Sequence, residues 1–294
     1  IQRLTLQQAH AALRAFNEAA SPTGYDIFLV AGQSNTYNGT VSTGDSVPNV
    51  TRDAVDADIK QWGRFDGEDG TVIEASIPLD HIGFQGNRPP SNVVGWALAF
   101  AKAYKAQGFL LGTRKVLLVP VGEGGSGFVD NKWNKGDTNY EDAVARTLAA
   151  LATGADTNYI KGILWHQGED DAGNGTNATT HGTALLAMID NMRTDLSLPN
   201  LPFVAGGLVP AILNVASYQQ VNDNIEGIVT ARNYTGYADP ASPTELTVEG
   251  VASGSNNHYS SFSMRGETQD FTDNSTTGFA GRYMTAYLQA LTNT

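Results

Sequence analysis

Groups suited to nucleophilic catalysis gather in four short segments of this chain. Gly32-Gln33-Ser34-Asn35 and residues 163–171 (ILWHQGEDD) each lie at the end of an apolar run, as does the glycine-rich stretch Gly122–Gly127. Asn257-His258-Tyr259-Ser260 comes late in the chain. Acyl transfer needs a nucleophile, a base and donors for an oxyanion, and these segments contain residues of all three types. Taken alone, a serine directly after a strand is more often the N-cap of a helix.

The elements that must position these segments alternate between short apolar runs and helical stripes. This order predicts an α/β fold with about five parallel strands and helices on both faces of the sheet. Ligands of such sheets bind beyond the carboxyl ends of the strands, where the polar segments lie. The predicted strands are Tyr25–Ala31, Lys115–Val121, Tyr159–Trp165, Leu201–Ala205 and Gly227–Ala231. The predicted helices are Leu4–Ala20, Val93–Gln107, Tyr140–Ala152, His181–Leu196, Val215–Ile225 and Gly281–Leu291.

We expect the 294 residues to form a single domain. Residues 1–20 are predicted as an N-terminal helix, and residues 36–90 and 233–278 as long loop regions, which in a compact domain are usually functional or inserted. The chain begins with Ile1 rather than Met, so we expect a processed protein or part of a larger chain or assembly.

Composition excludes several classes of function. Thirty Asp and Glu against 18 Lys and Arg give a net charge of −12, which disfavours binding to nucleic acid or to an anionic membrane. Cysteine is absent, which removes disulfides, thiolate chemistry and cysteine-based metal sites. Gly122–Gly127 matches a dinucleotide-binding pattern, but no helix is predicted directly after it. The acidic clusters lack the spacing of a calcium loop, and we expect neither metal nor cofactor.

Three of the motifs together resemble the SGNH hydrolase superfamily. They are VAGQSN at 30–35, a GGS loop at 124–126 followed by Trp133, and ILWHQGEDD at 163–171; His258 fits by its position before the last helix. More narrowly, they are similar to the sialate O-acetylesterase and acetylxylan-esterase branch of carbohydrate esterases. The resemblance covers roughly residues 25–292. It implies a three-layer α/β/α, flavodoxin-like domain that removes O-acetyl groups from a glycan or polysaccharide through an acetyl-enzyme intermediate.

The resemblance also implies roles for individual residues. Ser34 corresponds to the nucleophile and His258 to its base. The backbone N–H groups of Ser34 and Gly125 and the side-chain amide of Gln167 correspond to the oxyanion hole. A glycine suits that loop because no Cβ obstructs the substrate.

One position departs from the family pattern. The family usually has Asp three residues before the histidine, whereas this chain has Ser255. The group that orients His258 is therefore open: Glu169 is the first candidate, Asp171 and Glu249 are weaker ones, and a dyad without a carboxylate is a further alternative.

Tyr37 and Trp133 are predicted to contact the substrate, because aromatic rings in such loops stack on sugars. The resemblance and composition together favour an extracellular setting, secreted or on a virion, for example as a phage tailspike domain.

Two alternatives come from other classes. One is an SGNH lipase or thioesterase with another acyl substrate. The other is a non-catalytic glycan-binding domain derived from this fold, which the missing Asp favours.

Overall fold

The computed structural model describes residues 21–42, 44–175, 178–242, 245–246, 257–266 and 278–294. In this part of the chain, eight strands form one sheet in the order β3-β2-β5-β1-β6-β7-β8, with the short β4 paired to β5. The strands are β1 (Tyr25–Gly32), β2 (Ile59–Trp62), β3 (Val72–Glu74), β4 (Gly83–Phe84), β5 (Lys115–Gly124), β6 (Tyr159–His166), β7 (Phe203–Gly206) and β8 (Thr235–Ala238).

All neighbouring strands run parallel except β3, which is antiparallel to β2 at the edge of the sheet. The central register pairs Gly32 of β1 with Gly122 of β5 and with His166 of β6. The three central strands therefore end side by side. Because chain segments that leave parallel strands emerge at one edge, the loops after β1, β5 and β6 are brought together there.

Helices cover both faces of the sheet. Alternate side chains of β1 point to opposite faces: Phe28 and Val30 belong to one apolar core, and Ile27 and Leu29 to the other. The first core contains α1 and α7, and the second contains α2, α4 and α5. The predicted three-layer α/β/α architecture is thus confirmed. The helices are α1 (Ala97–Ala106), α2 (Thr138–Ala152), α3 (Glu169–Gly173), α4 (Ala178–Asp195), α5 (Ala216–Ala231), α6 (Ser261–Arg265) and α7 (Phe279–Ala290).

The predicted fifth strand, Gly227–Ala231, is wrong. These residues complete α5, because Ile228 continues the buried stripe of Val221 and Ile225 at helical spacing. The strand that extends the sheet beyond β7 is β8, inside a region predicted as loop. A short apolar run does not distinguish a strand from the end of a buried helix.

The region 36–90 is likewise not all loop, since it contains β2, β3 and β4. Helix α1 begins four residues later than predicted: Val94 instead bridges to Gly39, whose N–H donates to the Val94 carbonyl at 2.7 Å.

The predicted N-terminal helix, Ser255 and Glu249 lie outside the described residues. Within the described part of the chain, no helix has the length and apolar character needed to cross a membrane.

Candidate active site

Ser34 begins a single 3₁₀ turn, Ser34–Thr36, directly after β1. The chain passes so close to β6 here that a Cβ at Gly32 would lie 2.0 Å from the His166 carbonyl oxygen, and Gly32 has φ +130°. Only glycine fits such a contact and such a φ. The Gln33 side chain then accepts hydrogen bonds from the N–H groups of Gly168 and Asp170, both at 3.2 Å. The loops after β1 and β6 are therefore joined by hydrogen bonds.

His258 faces Ser34 across the edge of the sheet. Its Nε2 lies 2.8 Å from the Ser34 Oγ. Burial lowers the pKa of His258 below its ordinary value, and the neighbouring His166 ring lowers it further, while the Glu169 carboxylate raises it. The imidazole is therefore neutral at pH 7 and able to accept the hydroxyl proton of Ser34.

Asn35 connects the His258 segment to the loops after β1 and β6. Its Nδ2 donates to Glu169 Oε1 at 2.5 Å and to the Asn257 carbonyl at 2.7 Å, and its Oδ1 accepts from the Tyr259 N–H at 3.1 Å. The side chain is completely buried. The residues on either side of His258 are thus held by one amide from the loop that contains Ser34.

Glu169 is buried at the first position of α3, under this network. Besides the Asn35 bond, its Oε1 lies 3.1 Å from His166 Nε2. Burial alone would raise the pKa of Glu169, but the His166 ring and the hydrogen bonds from His166 and Asn35 hold it below its ordinary value. Glu169 is thus a fixed negative charge. In the described part of the chain no ion pair joins His258 to a carboxylate, and the nearby Glu169 charge raises the pKa of His258.

Two backbone donors line a cavity of about 410 Å³ in front of Ser34 and His258. The N–H groups of Ser34 and Gly125 belong to residues of the cavity wall, and within the described residues neither donates a hydrogen bond. Gly125 has φ +65°, a left-handed conformation that turns the chain at the end of β5. Such free, fixed N–H groups beside a hydroxyl are what a developing oxyanion requires.

Two predicted site residues lie elsewhere. The Gln167 side chain is completely buried and donates from Nε2 to Asp171 Oδ2 at 2.6 Å, so it does not line the cavity. Trp133 is also fully buried: its Nε1 donates to the Ser126 Oγ at 2.9 Å, and its ring packs edge-on against Trp165. The expected substrate contact of Trp133 is therefore wrong, because the indole fills the core behind the loop that follows β5.

Tyr37 lines the cavity, with its ring stacked on His81, and its contact with the substrate stays a prediction. Burial raises the pKa of Tyr37 to about 12, so the hydroxyl stays neutral. Sequence reasoning gave no site role to several cavity residues, among them Phe84, Asp170 and Tyr218. Phe84 and Tyr218 carried no motif, whereas Asp170 stood inside the ILWHQGEDD segment and was passed over.

The comparison with protein families decides the family. The model of the carbohydrate esterase, sialic acid-specific acetylesterase family (SASA) matches residues 24–241. The chain belongs to this family. The match spans the sheet and the loops after β1, β5 and β6, and ends before His258.

Curated relatives agree with this membership. A probable carbohydrate esterase of Arabidopsis thaliana is 35% identical over 111 residues, which are 38% of this chain and 40% of that protein. A probable 9-O-acetyl-N-acetylneuraminic acid deacetylase of Escherichia coli K12 is 30% identical over 214 residues, 61% of this chain and 63% of that protein. The chain thus spans less than two thirds of the length of these relatives.

Solved structures show the same fold. The crystal structure of NanS aligns with a TM-score of 0.69 at 20% identity, covering 93% of this chain and 98% of that one. A structure of an Arabidopsis thaliana protein aligns with a TM-score of 0.63 at 22% identity, covering 91% and 98%. The α/β architecture of this acetylesterase-family chain is therefore shared along nearly its whole length.

Proposed function

We propose that this chain is a serine esterase that removes O-acetyl groups from a glycan. The observation that carries the proposal is the 2.8 Å contact between Ser34 Oγ and His258 Nε2 at the wall of a cavity. Family membership and the relatives named as esterase and deacetylase support the acetyl ester as the bond that is cleaved.

The reaction follows from the groups around the cavity. Neutral His258 takes the Ser34 proton as Oγ attacks the acetyl carbonyl carbon, and the carbonyl oxygen becomes an oxyanion. The N–H groups of Ser34 and Gly125 donate to that oxygen; one such donor typically contributes about 3 kcal/mol to lowering the barrier. The C–O bond to the sugar then breaks, and the imidazolium returns its proton to the leaving hydroxyl, which leaves an acetyl-enzyme.

A water molecule completes the cycle. His258 removes one proton from the water as the oxygen attacks the acetyl-enzyme, and a second tetrahedral oxyanion forms at the same donors. Its collapse breaks the bond to Ser34, which recovers the proton from His258. The product leaves as acetic acid, which loses its remaining proton to solvent and becomes acetate. The protein is returned to its starting state.

Glu169 supports the cationic form of His258 in both steps. Its carboxylate is buried and ionised, and it raises the His258 pKa. Charge on the imidazole develops only in the transition state, so a fixed negative charge nearby stabilises that state more than the ground state. We propose this electrostatic role for Glu169 in place of the aspartate that the family usually has.

Hydrolysis of 4-nitrophenyl acetate and butyrate by the native chain, Ser34→Ala and Ser91→Ala tests the proposal. Ser91 is an exposed serine in a turn and serves as the matched control. We expect Ser34→Ala to lower kcat by about four orders of magnitude or more. Ser91→Ala should match the native chain, and acetate should be preferred to butyrate.

Other outcomes favour the alternatives. A preference for butyrate or longer acyl chains would favour a lipase or thioesterase. Turnover that survives Ser34→Ala would exclude the serine mechanism. A native chain that hydrolyses neither nitrophenyl esters nor acetylated polysaccharides, but binds the polysaccharides, would be a glycan-binding domain.

A further inference from the structure

Among the described residues, the charge at the rim of the cavity is negative. The ionisable side chains among the described lining residues include Glu169 and Asp170, and none is Lys or Arg. Lys132, in the loop after β5, is paired with Glu123 at 3.0 Å. A carboxylate on a ligand therefore finds no Lys or Arg among the described residues of this wall.

Asp170 lines the cavity, and a second carboxyl group lies beside it. Asp170 is half-buried, and the exposed Asp130 carboxyl lies within hydrogen-bond distance of it. Asn174 donates to Asp170 Oδ2 at 3.0 Å. Burial raises the pKa of Asp170 to about 7, and the neighbouring Asp130 and Asp171 add to this increase, while Asn174 opposes it. At a pH well above 7, the Asp170 carboxyl is therefore ionised and would repel a carboxylate on a ligand.

An exposed aromatic ring lies at the same wall. Phe84 is 60% exposed although it lines the cavity, and it stands opposite Gly124 in the pairing of β4 with β5. The ring is so close to the loop that a Cβ added to Gly125 would lie 3.7 Å from it. An exposed ring beside a binding cavity suits the apolar C–H face of a sugar.

We infer that the sugar unit accepted at this cavity is uncharged, that Phe84 stacks on its ring, and that the Asp130–Asp170 pair disfavours sugars with a carboxylate. This inference rests on the proposed function and specifies its substrate class. It separates the chain from its Escherichia coli relative, whose name specifies an acidic sugar.

A matched set of substrates tests the inference. Methyl glucosides with one O-acetyl group, at O-2, O-3 or O-4, are compared with glucuronates acetylated at the same position. Glucuronamides acetylated at that position keep the shape of the acid without its charge. Assays run at low ionic strength and about pH 8.5, where Asp170 with its pKa of about 7 is ionised. We expect kcat/KM for the glucuronate to be about tenfold below that for the glucuronamide, which corresponds to about 1.4 kcal/mol.

Variants then locate the cause. Asp170→Asn, or Asp130→Asn if the first does not fold, should reduce the difference between acid and amide to about threefold or less. Asp156→Asn removes an exposed carboxylate from the opposite edge of the sheet and should leave the difference unchanged. Phe84→Ala should raise KM for all the sugar esters about five- to tenfold, and Phe84→Tyr should restore it.

The failures are distinguishable. Equal or faster hydrolysis of the glucuronate, or a KM that is indifferent to Phe84→Ala, would overturn the inference and leave the esterase function standing. If none of the sugar esters loses acetate, the proposed function itself fails, and the inference fails with it.

Discussion

Replacing Asn35 with alanine tests whether one buried amide positions the base. The substitution removes the hydrogen bonds to Glu169, to the Asn257 carbonyl and from the Tyr259 N–H, at 2.5, 2.7 and 3.1 Å. Asn35 follows Ser34 in the chain, but in the described structure its side chain makes no hydrogen bond to Ser34 or His258. Any effect on catalysis must therefore come from the position of the His258 segment and from the environment of Glu169.

The size of the effect follows from these three contacts. The loss of a buried hydrogen bond costs about 1–3 kcal/mol, so we expect the loss of three in Asn35→Ala to lower the free energy of unfolding by about 3–9 kcal/mol. Displacement of a catalytic group by about 1 Å costs about 100-fold in rate. We therefore expect kcat/KM for 4-nitrophenyl acetate to fall about 100-fold in the fraction that stays folded.

Asn158 supplies the matched control. It is also a buried asparagine that joins three segments: its Oδ1 accepts from Tyr25 N–H at 2.9 Å, and its Nδ2 donates to the Ala150 carbonyl at 3.2 Å and to Thr153 Oγ1 at 3.0 Å. It lies at the opposite edge of the sheet, before β6. Asn158→Ala should lose similar stability and keep native kcat/KM.

Urea unfolding and steady-state kinetics below the transition measure both quantities for each variant. A folded Asn35→Ala with kcat/KM within about threefold of the native value would refute the positioning role. Equal losses of activity in both asparagine variants would attribute the effect to general destabilisation.

Two further predictions concern the charge and the backbone at the site. Glu169→Gln removes the negative charge that raises the His258 pKa. The acid limb of the kcat/KM pH profile should therefore move to lower pH, and the plateau should fall about tenfold or more. An acid limb at higher pH would contradict this expectation. Gly32→Ala should lower the free energy of unfolding, measured in urea, by more than about 3 kcal/mol, because the new Cβ would lie 2.0 Å from the His166 carbonyl oxygen. In Gly227→Ala the new Cβ would have no atom within 4 Å, so this control should stabilise α5 by about 0.5–1 kcal/mol.

Local patterns were sufficient to predict the central strands and most of the helices. The runs Tyr25–Ala31, Lys115–Val121 and Tyr159–Trp165 lie inside β1, β5 and β6, because strands buried on both faces need continuous apolar residues. Chirality and parallel pairing then placed their following loops at one edge. The motif positions of Ser34 and Gly125 at that edge followed from the same reasoning, and His258 from the resemblance.

Patterns failed where the deciding contact was distant in sequence. The sequence around Ile228 is compatible with a strand or a helix, and only its packing in the second core distinguishes the two. Strand β2 has only four residues, too few to show an alternating hydrophobic pattern. It forms because it can pair with β5.

The direction of each side chain at the site was settled by tertiary packing. Trp133 and Gln167 follow the expected strands, yet one turns into the core and the other toward Asp171. Phe84, far from every motif, reaches the cavity because β4 pairs with the end of β5. Residue type and the local hydrophobic pattern indicate the strand or helix to which a residue belongs. The residues that its side chain contacts are distant in sequence and are brought near it only by the tertiary structure.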